Sequence, residues 1–151
     1  AAEQKISKGN LGVFCGAAIQ LQDGQLVTGQ NSPLLHAASS LILNSLKTLA
    51  GIPAHLDLIS PSVVESIAEL RKDFLHRSSV SLNLSETLIA LSISSTTNPT
   101  ARAALEKLPA LKGCEVHLTH LPSPEDDRAL RRLGVSLTSD PIFATDKLFV
   151  S

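Results

Sequence analysis

The stretch Asn31 to Gly51 constrains this chain more than any other, because it reads as one helix that is apolar over most of its circumference. His36, Ser40, Asn44 and Lys47 recur at a spacing of three or four and form a single narrow polar stripe, while Leu34, Leu35, Ala38, Leu41, Ile42, Leu46 and Leu49 fill the remainder. A helix apolar over so wide an arc must be covered on more than one side. Its ends are marked as well: Ser32 can cap the first free amides, Pro33 suits the first helical position, and Gly51 can take the left-handed conformation that closes a helix.

The chain around this helix alternates between strand and helix signals. Residues 11–21 are a short apolar run that ends at Gln22-Asp-Gly-Gln25, and Asp-Gly is a hairpin signal, so Gln25–Gly29 returns antiparallel. After the central helix, His55–Ser60 alternates like a strand. Ser60-Pro61 then opens an amphipathic helix with Val63, Val64, Ile67, Leu70 and Phe74 on its apolar face and Ser62 and Glu65 placed for a capping box. Leu82–Thr97 is ambiguous: Asn83-Leu-Ser-Glu86 resembles a capping box while Ile89, Leu91 and Ile93 alternate as a strand would, and it is read as a helix because Leu84, Leu88 and Leu91 also satisfy the helical period. Asn98-Pro99 starts another that runs to about Leu108. Cys114–His120 is a strand with Cys114, Val116 and Leu118 on one face and Glu115, His117 and Thr119 on the other. Ser123-Pro124 opens a helix through Leu133, stopped by Gly134, and Val135–Thr138 is a last short strand. This order predicts an α/β three-layer sandwich, its sheet mostly parallel and opened by an antiparallel hairpin. The expected organisation is a linker or fragment start at 1–10, one domain at 11–142, and a tail at 143–151.

Composition excludes several function classes. The 151 residues are 43% apolar with a net charge of −1, which gives no electrostatic reason to expect nucleic acid or an anionic membrane. Tyr and Trp are absent, so stacking platforms for bases are scarce. No apolar run reaches the length of a membrane span and no basic-then-apolar leader is present, so the expectation is a soluble, cytoplasmic protein. Without an initiator Met, the chain is expected to be a piece of something longer. Cys15 and Cys114 lack a pairing pattern; free buried thiols are the plainer reading, and a disulfide or metal pair the alternative.

No glycine-rich phosphate loop and no nucleophile elbow occurs. His117-x-x-His120 has metal-like spacing, but residues three apart on a strand face opposite sides. Glu65 with Glu69, and Glu125-Asp-Asp127, read first as charges favoured at helix starts. The repeated Ser-Pro pairs carry more: Ser32-Pro33, Ser60-Pro61 and Ser123-Pro124 each open a helix soon after a strand, and in a parallel sheet such junctions share the carboxyl edge. Three N-termini facing one crevice would suit a carboxylate or phosphate group. Asn31, Ser32, His36, Ser60, Thr119, His120 and Ser123 are therefore the candidate ligand-binding residues. No catalytic constellation, metal site or cofactor is expected.

Two resemblances sharpen this reading. The order of hairpin, central helix, strand and helix is similar to that of the zinc deaminases, whose helix carries His-x-Glu and whose later helix starts at Pro-Cys-x-x-Cys. Here the letters are His36-Ala37-Ala38 and Pro61-Ser62-Val63-Val64-Glu65, so the fold can be cytidine-deaminase-like while the zinc chemistry is missing. Second, Cys15-Gly-Ala-Ala-Ile-x-Leu-x-Asp-Gly, Thr28-Gly-x-Asn-Ser-Pro-Leu-Leu-His-Ala-Ala-Ser, Glu86-Thr-Leu-Ile-Ala-Leu-Ser-Ile-Ser, Gly113-Cys-Glu-Val-His-Leu-Thr-His and Leu130-Arg-Arg-Leu-Gly-Val-x-Leu-Thr-Ser-Asp resemble the carboxyl-terminal domain of a bacterial family of unknown function, number 1846. That resemblance implies a larger parent whose amino-terminal α/β domain carries a phosphate-binding glycine-lysine loop. Some members carry an ATP-dependent peptidase label, which no residue here supports with a protease triad or zincin helix. The function expected is an accessory domain, non-catalytic by itself, that binds a small anionic ligand or its own amino-terminal nucleotide-binding domain. The alternatives are part of an ATP-dependent enzyme with its site at the inter-domain cleft, and a scaffold or homo-oligomerisation domain.

Overall fold

The computed structural model describes residues 15–74 and 81–143. The expected linker at 1–10, the first residues of the opening strand and the tail from 144 onward lie outside the described residues. Strand β1 (Gly16–Gln20) turns into β2 (Leu26–Gln30) through the Asp23-Gly24 pair. Leu21 N–H donates to Gln25 O at 2.8 Å, Gly24 takes φ +90°, and the Asp23 carboxylate accepts from Gln25 N–H at 3.0 Å. The hairpin thus forms for the reason its sequence suggests: only glycine adopts that φ without strain.

Helix α1 (Ala37–Ala50) follows, then α2 (Pro61–Asp73), α3 (Leu84–Ser95), α4 (Pro99–Leu105), β3 (Glu115–Leu118), α5 (Pro124–Arg132) and β4 (Ser136–Ser139). The segment read as a helix over Leu82–Thr97 forms one over Leu84–Ser95, and its capping box is present in full: Glu86 N–H donates to Asn83 Oδ1 at 2.9 Å and Asn83 N–H to Glu86 Oε1 at 3.0 Å. Helix α1 closes at Gly51, φ +68°, where Ile52 N–H reaches back to Lys47 O at 2.8 Å.

Helix α1 starts at Ala37 with His36 as its N-cap, one turn later than Ser32-Pro33 suggested. The Ser32 hydroxyl instead accepts from the amides of Leu34 and Leu35, 3.3 and 3.1 Å away, a local turn that satisfies the backbone before the helix begins. His55–Ser60 forms turns rather than a strand; Leu58 and Ile59 are buried all the same, so their apolar character reflects packing without ladder pairing. The Ser62 and Glu65 capping box is replaced by a plain Ser60 N-cap without a side-chain cap bond, followed by Pro61.

The sheet is mixed rather than mostly parallel. Its order is β2-β1-β3-β4; β1 runs antiparallel to both neighbours, and β3 and β4, joined through α5, are the parallel pair. The lost strand at 55–60 would have added a parallel neighbour, and without it the opening hairpin sets the direction of half the sheet. Ala17, Ile19, Val27, Gly29, Val116 and Leu118 are buried on one face, whereas Thr28, His117 and Thr138 are exposed on the other. Among the described residues the result is two layers, helices on one face of the sheet, in place of the expected three. Helix α1 lies closest: a Cβ built on Gly29 would sit 2.4 Å from Leu41 N, so glycine lets helix and strand backbones meet. Leu41, Ile42 and Leu46 are fully buried there, as the wide apolar arc of the helix requires.

Candidate functional site

The starts of three helices meet at one carboxylate. Leu34 O accepts from Leu82 N–H at 2.8 Å, and Leu82 O from His36 N–H at 2.9 Å, a short parallel bridge that lays the approach to α3 beside the approach to α1. The Ser39 hydroxyl donates to the same Leu82 carbonyl at 3.1 Å. Helix α5 then brings in Asp126. It is the third residue of its helix, and its own N–H donates to the hydroxyl of the N-cap Ser123 at 3.2 Å.

In a capping box an acidic residue at this position would turn back to its own N-cap amide. Asp126 turns outward. Its Oδ1 accepts from Leu84 N–H, the first amide of α3, at 2.8 Å, and its Oδ2 lies 2.7 Å from His36 Nδ1. Asp126 is only 3% exposed, so its charge has been taken out of water at considerable cost. Two short bonds and the positive end of α3 offset that cost. A carboxylate that accepts at both oxygens leaves the Nδ1 of His36 as the donor, which assigns the imidazole proton to Nδ1 and leaves Nε2 to take or give a second proton. The His36 side chain is 15% exposed, enough for solvent or a ligand to touch it.

His120 stands in the turn between β3 and α5. Burial pushes its pKa down, the Asp126 charge opposes that shift and His36 adds to it, so its imidazole is within electrostatic reach of both. Its Nδ1 is buried and has no hydrogen-bond partner among the described residues.

The candidate residues of the sequence reading separate into three groups. His36 and Ser123 belong with Asp126, Ser123 by capping the helix that carries it, and His120 lies within electrostatic reach of them. Asn31 and Thr119 serve the backbone: Asn31 Oδ1 accepts from Cys15 N–H at 2.9 Å, and Thr119 Oγ1 from Gly16 N–H at 2.8 Å. Ser32 makes the local turn already described. Ser60 is exposed, with its hydroxyl 3.1 Å from that of Ser62, and among the described residues no hydrogen bond ties it to the others. So helix starts do converge, but they are those of α1, α3 and α5 rather than the three Ser-Pro starts. The residue missed was Asp126, whose sequence signal was no more than an acid three positions after Ser123.

The second histidine pair is also dispersed. His117 points to the exposed sheet face, with Nδ1 2.7 Å from Thr138 Oγ1 and Nε2 3.2 Å from Asp140 Oδ1, while His120 lies in the turn after β3. A cleft of about 360 Å³ opens beside α5, lined by Leu121, Pro124, Arg131 and Leu137 among others, and includes neither His36 nor His120. Cys15 and Cys114 are free and buried, as expected. Among the described residues no helix is long and apolar enough to cross a membrane.

Comparison with known proteins agrees with the resemblance. The family model described as "Domain of unknown function DUF1846, C-terminal" matches residues 1–149. A UPF0371 protein of Corynebacterium diphtheriae is 45% identical over 134 residues, which are 89% of this chain and 27% of the relative. UPF0371 proteins of Clostridium botulinum strain Eklund 17B and Fusobacterium nucleatum are each 43% identical over 132 residues, 87% of this chain and 26% of theirs. The chain therefore spans about a quarter of the length of these relatives. It belongs to the DUF1846 family and corresponds to that family's carboxyl-terminal domain.

Proposed function

We propose that this domain contributes an acid/base histidine, His36, to a reaction centre completed by the remainder of a longer parent chain. The observation that carries the reading is the 2.7 Å contact between His36 Nδ1 and the buried carboxylate of Asp126. Such a pair holds an imidazole in one tautomer and orientation, with Nε2 as its working nitrogen. The shortness of this chain beside its relatives supports a site shared with other parts of the parent.

An anionic ligand at the helix starts has less support, because Asp126 already occupies the first amide of α3 and brings a negative charge of its own. A deaminase-like ancestry fits a histidine at the start of the central helix. Zinc deamination is no part of the proposal, since Ala38 stands where the proton-shuttling glutamate would be.

The test uses the full-length parent and ATP, the co-substrate that the family resemblance implies. The intact chain should turn over ATP while the isolated domain does not. His36→Ala and Asp126→Asn should each lower the rate by about a hundredfold with the fold retained. Unchanged rates in both variants would refute the assignment.

A further inference from the structure

The sheet has two edges, and they are treated differently. At β2 the outward carbonyl of Thr28 accepts from Asn44 Nδ2 at 2.9 Å, so the central helix closes over that side. The other edge is β4. Ser136 N–H donates to Cys114 O at 2.8 Å and Asp140 N–H to Leu118 O at 3.0 Å, so alternate residues face β3 and the backbone groups of Leu137 and Ser139 point away from the sheet. Among the described residues those outward groups have no hydrogen-bond partner. Proteins commonly blunt such an edge with lysine, proline or a bulge. Ser136-Leu-Thr-Ser139 has none of these in its length, and Pro141 comes only after its end. The cleft of about 360 Å³ borders this same strand: β4 contributes Leu137, Thr138 and Ser139, while α5 and the loop before it contribute Leu121, Pro124 and Arg131. A free edge beside a helix, with a cleft between them, is a geometry that accepts an added strand.

We propose that the edge of β4 receives an extended strand from the part of the parent chain that lies outside these 151 residues. The strand bonds to the backbone of Leu137 and Ser139. Its side chains alternate, apolar ones entering the cleft beside Leu121 and Leu137 and polar ones lying on the open sheet face with His117 and Thr138. Two observations select this occupant. The chain spans about a quarter of the length of its relatives, which leaves ample sequence to supply a strand. And β4 has only four residues, about 13 Å of ladder. A second copy paired along so short an edge would fall well below the roughly 1,200 Å² that a stable complex buries. A tethered segment is presented at a high effective concentration and can use a short ladder. The proposal is independent of the acid/base reading of His36.

The experiment is residue-resolved amide hydrogen exchange of the full-length parent. The N–H groups of Leu137 and Ser139 should exchange at least about a hundredfold more slowly than in an unstructured chain, independently of protein concentration. Exchange near the unstructured rate would overturn the proposal, and so would protection that disappears on dilution, which would make the occupant a second copy. Ser139→Pro removes one outward N–H and leaves the ladder to β3 intact, so Leu137 should lose its protection while Thr138 and Asp140 keep theirs. Retained protection at Leu137 in that variant would count against an added strand. With p-benzoylphenylalanine in place of the exposed Ser136, irradiation should cross-link β4 to a segment of the same polypeptide outside these 151 residues. An adduct confined to residues 1–151, or one between two copies, would refute the assignment, and this readout holds even if Ser139→Pro fails to fold.

Discussion

Asp126 Oδ2 lies 2.7 Å from His36 Nδ1 across 90 positions of sequence, and the same carboxylate takes the first amide of α3. One side chain therefore ties the starts of α1 and α3 to α5. Asp126→Ala should cost about 3 kcal/mol in denaturant unfolding, since it leaves Leu84 N–H and His36 without their acceptor. Asp126→Asn keeps one acceptor and should cost about half as much. A cost within experimental error for the alanine variant would mean that the carboxylate is not holding the helices together.

The capping box of α3 is a second junction. Glu86 accepts from Asn83 N–H through Oε1, and its Oε2 lies 2.9 Å from Nε of Arg71, a fully buried guanidinium on α2 that also donates to Ser81 O. Asn83→Ala should cost about 1 kcal/mol, the usual worth of an N-cap. Glu86→Ala should cost about 3 kcal/mol, because it also withdraws a carboxylate from a buried cation. Thermal or chemical unfolding of the two variants measures the difference.

Gly29 offers the most severe single test of the packing. A methyl group there meets the backbone of Leu41 rather than the end of a flexible side chain. Gly29→Ala should destabilise by about 3 kcal/mol or more and lower the yield of folded protein. Circular dichroism and a denaturant midpoint would reveal it.

Acid should weaken the fold through His120. Burial lowers its folded-state pKa below the ordinary 6.5, so the unfolded chain takes up this proton at higher pH than the folded one. The sign follows: this contribution is fully present above pH 6.5 and is lost as pH falls from there through the folded value. His120→Leu should flatten that part of the stability profile, which chemical denaturation at a series of pH values would record.

The two thiols should be slow to react. Burial pushes Cys15 up to about 11 and raises Cys114, so little thiolate is present near neutrality. Iodoacetamide should modify both only after denaturant is added, with mass spectrometry as the readout.

Much of the fold could be read from local chemistry. Asp23-Gly24, the Asn83 and Glu86 pair, Ser60-Pro61, Asn98-Pro99 and Ser123-Pro124 each mark a boundary through contacts within a few residues, and each marked it correctly. Ser32-Pro33 misled because the same hydroxyl and ring serve a turn as readily as a helix start. The parallel sheet was overestimated because Leu58 and Ile59 are apolar for packing, and apolarity does not reveal whether a segment pairs. In the site, His36, His120 and Ser123 were legible as polar residues at element ends. Asp126 was not, because its burial and both its partners depend on how distant segments meet.

The bridge between Leu35 and Leu82 also bears on the order in which the molecule can assemble. During synthesis the hairpin and α1 leave the ribosome with His36 unclamped, and its backbone finds Leu82 only when the middle of the chain follows. Its imidazole waits still longer for Asp126. The histidine therefore has no working orientation in any nascent fragment that stops short of α5, and any chemistry assigned to it is withheld until the domain is nearly complete.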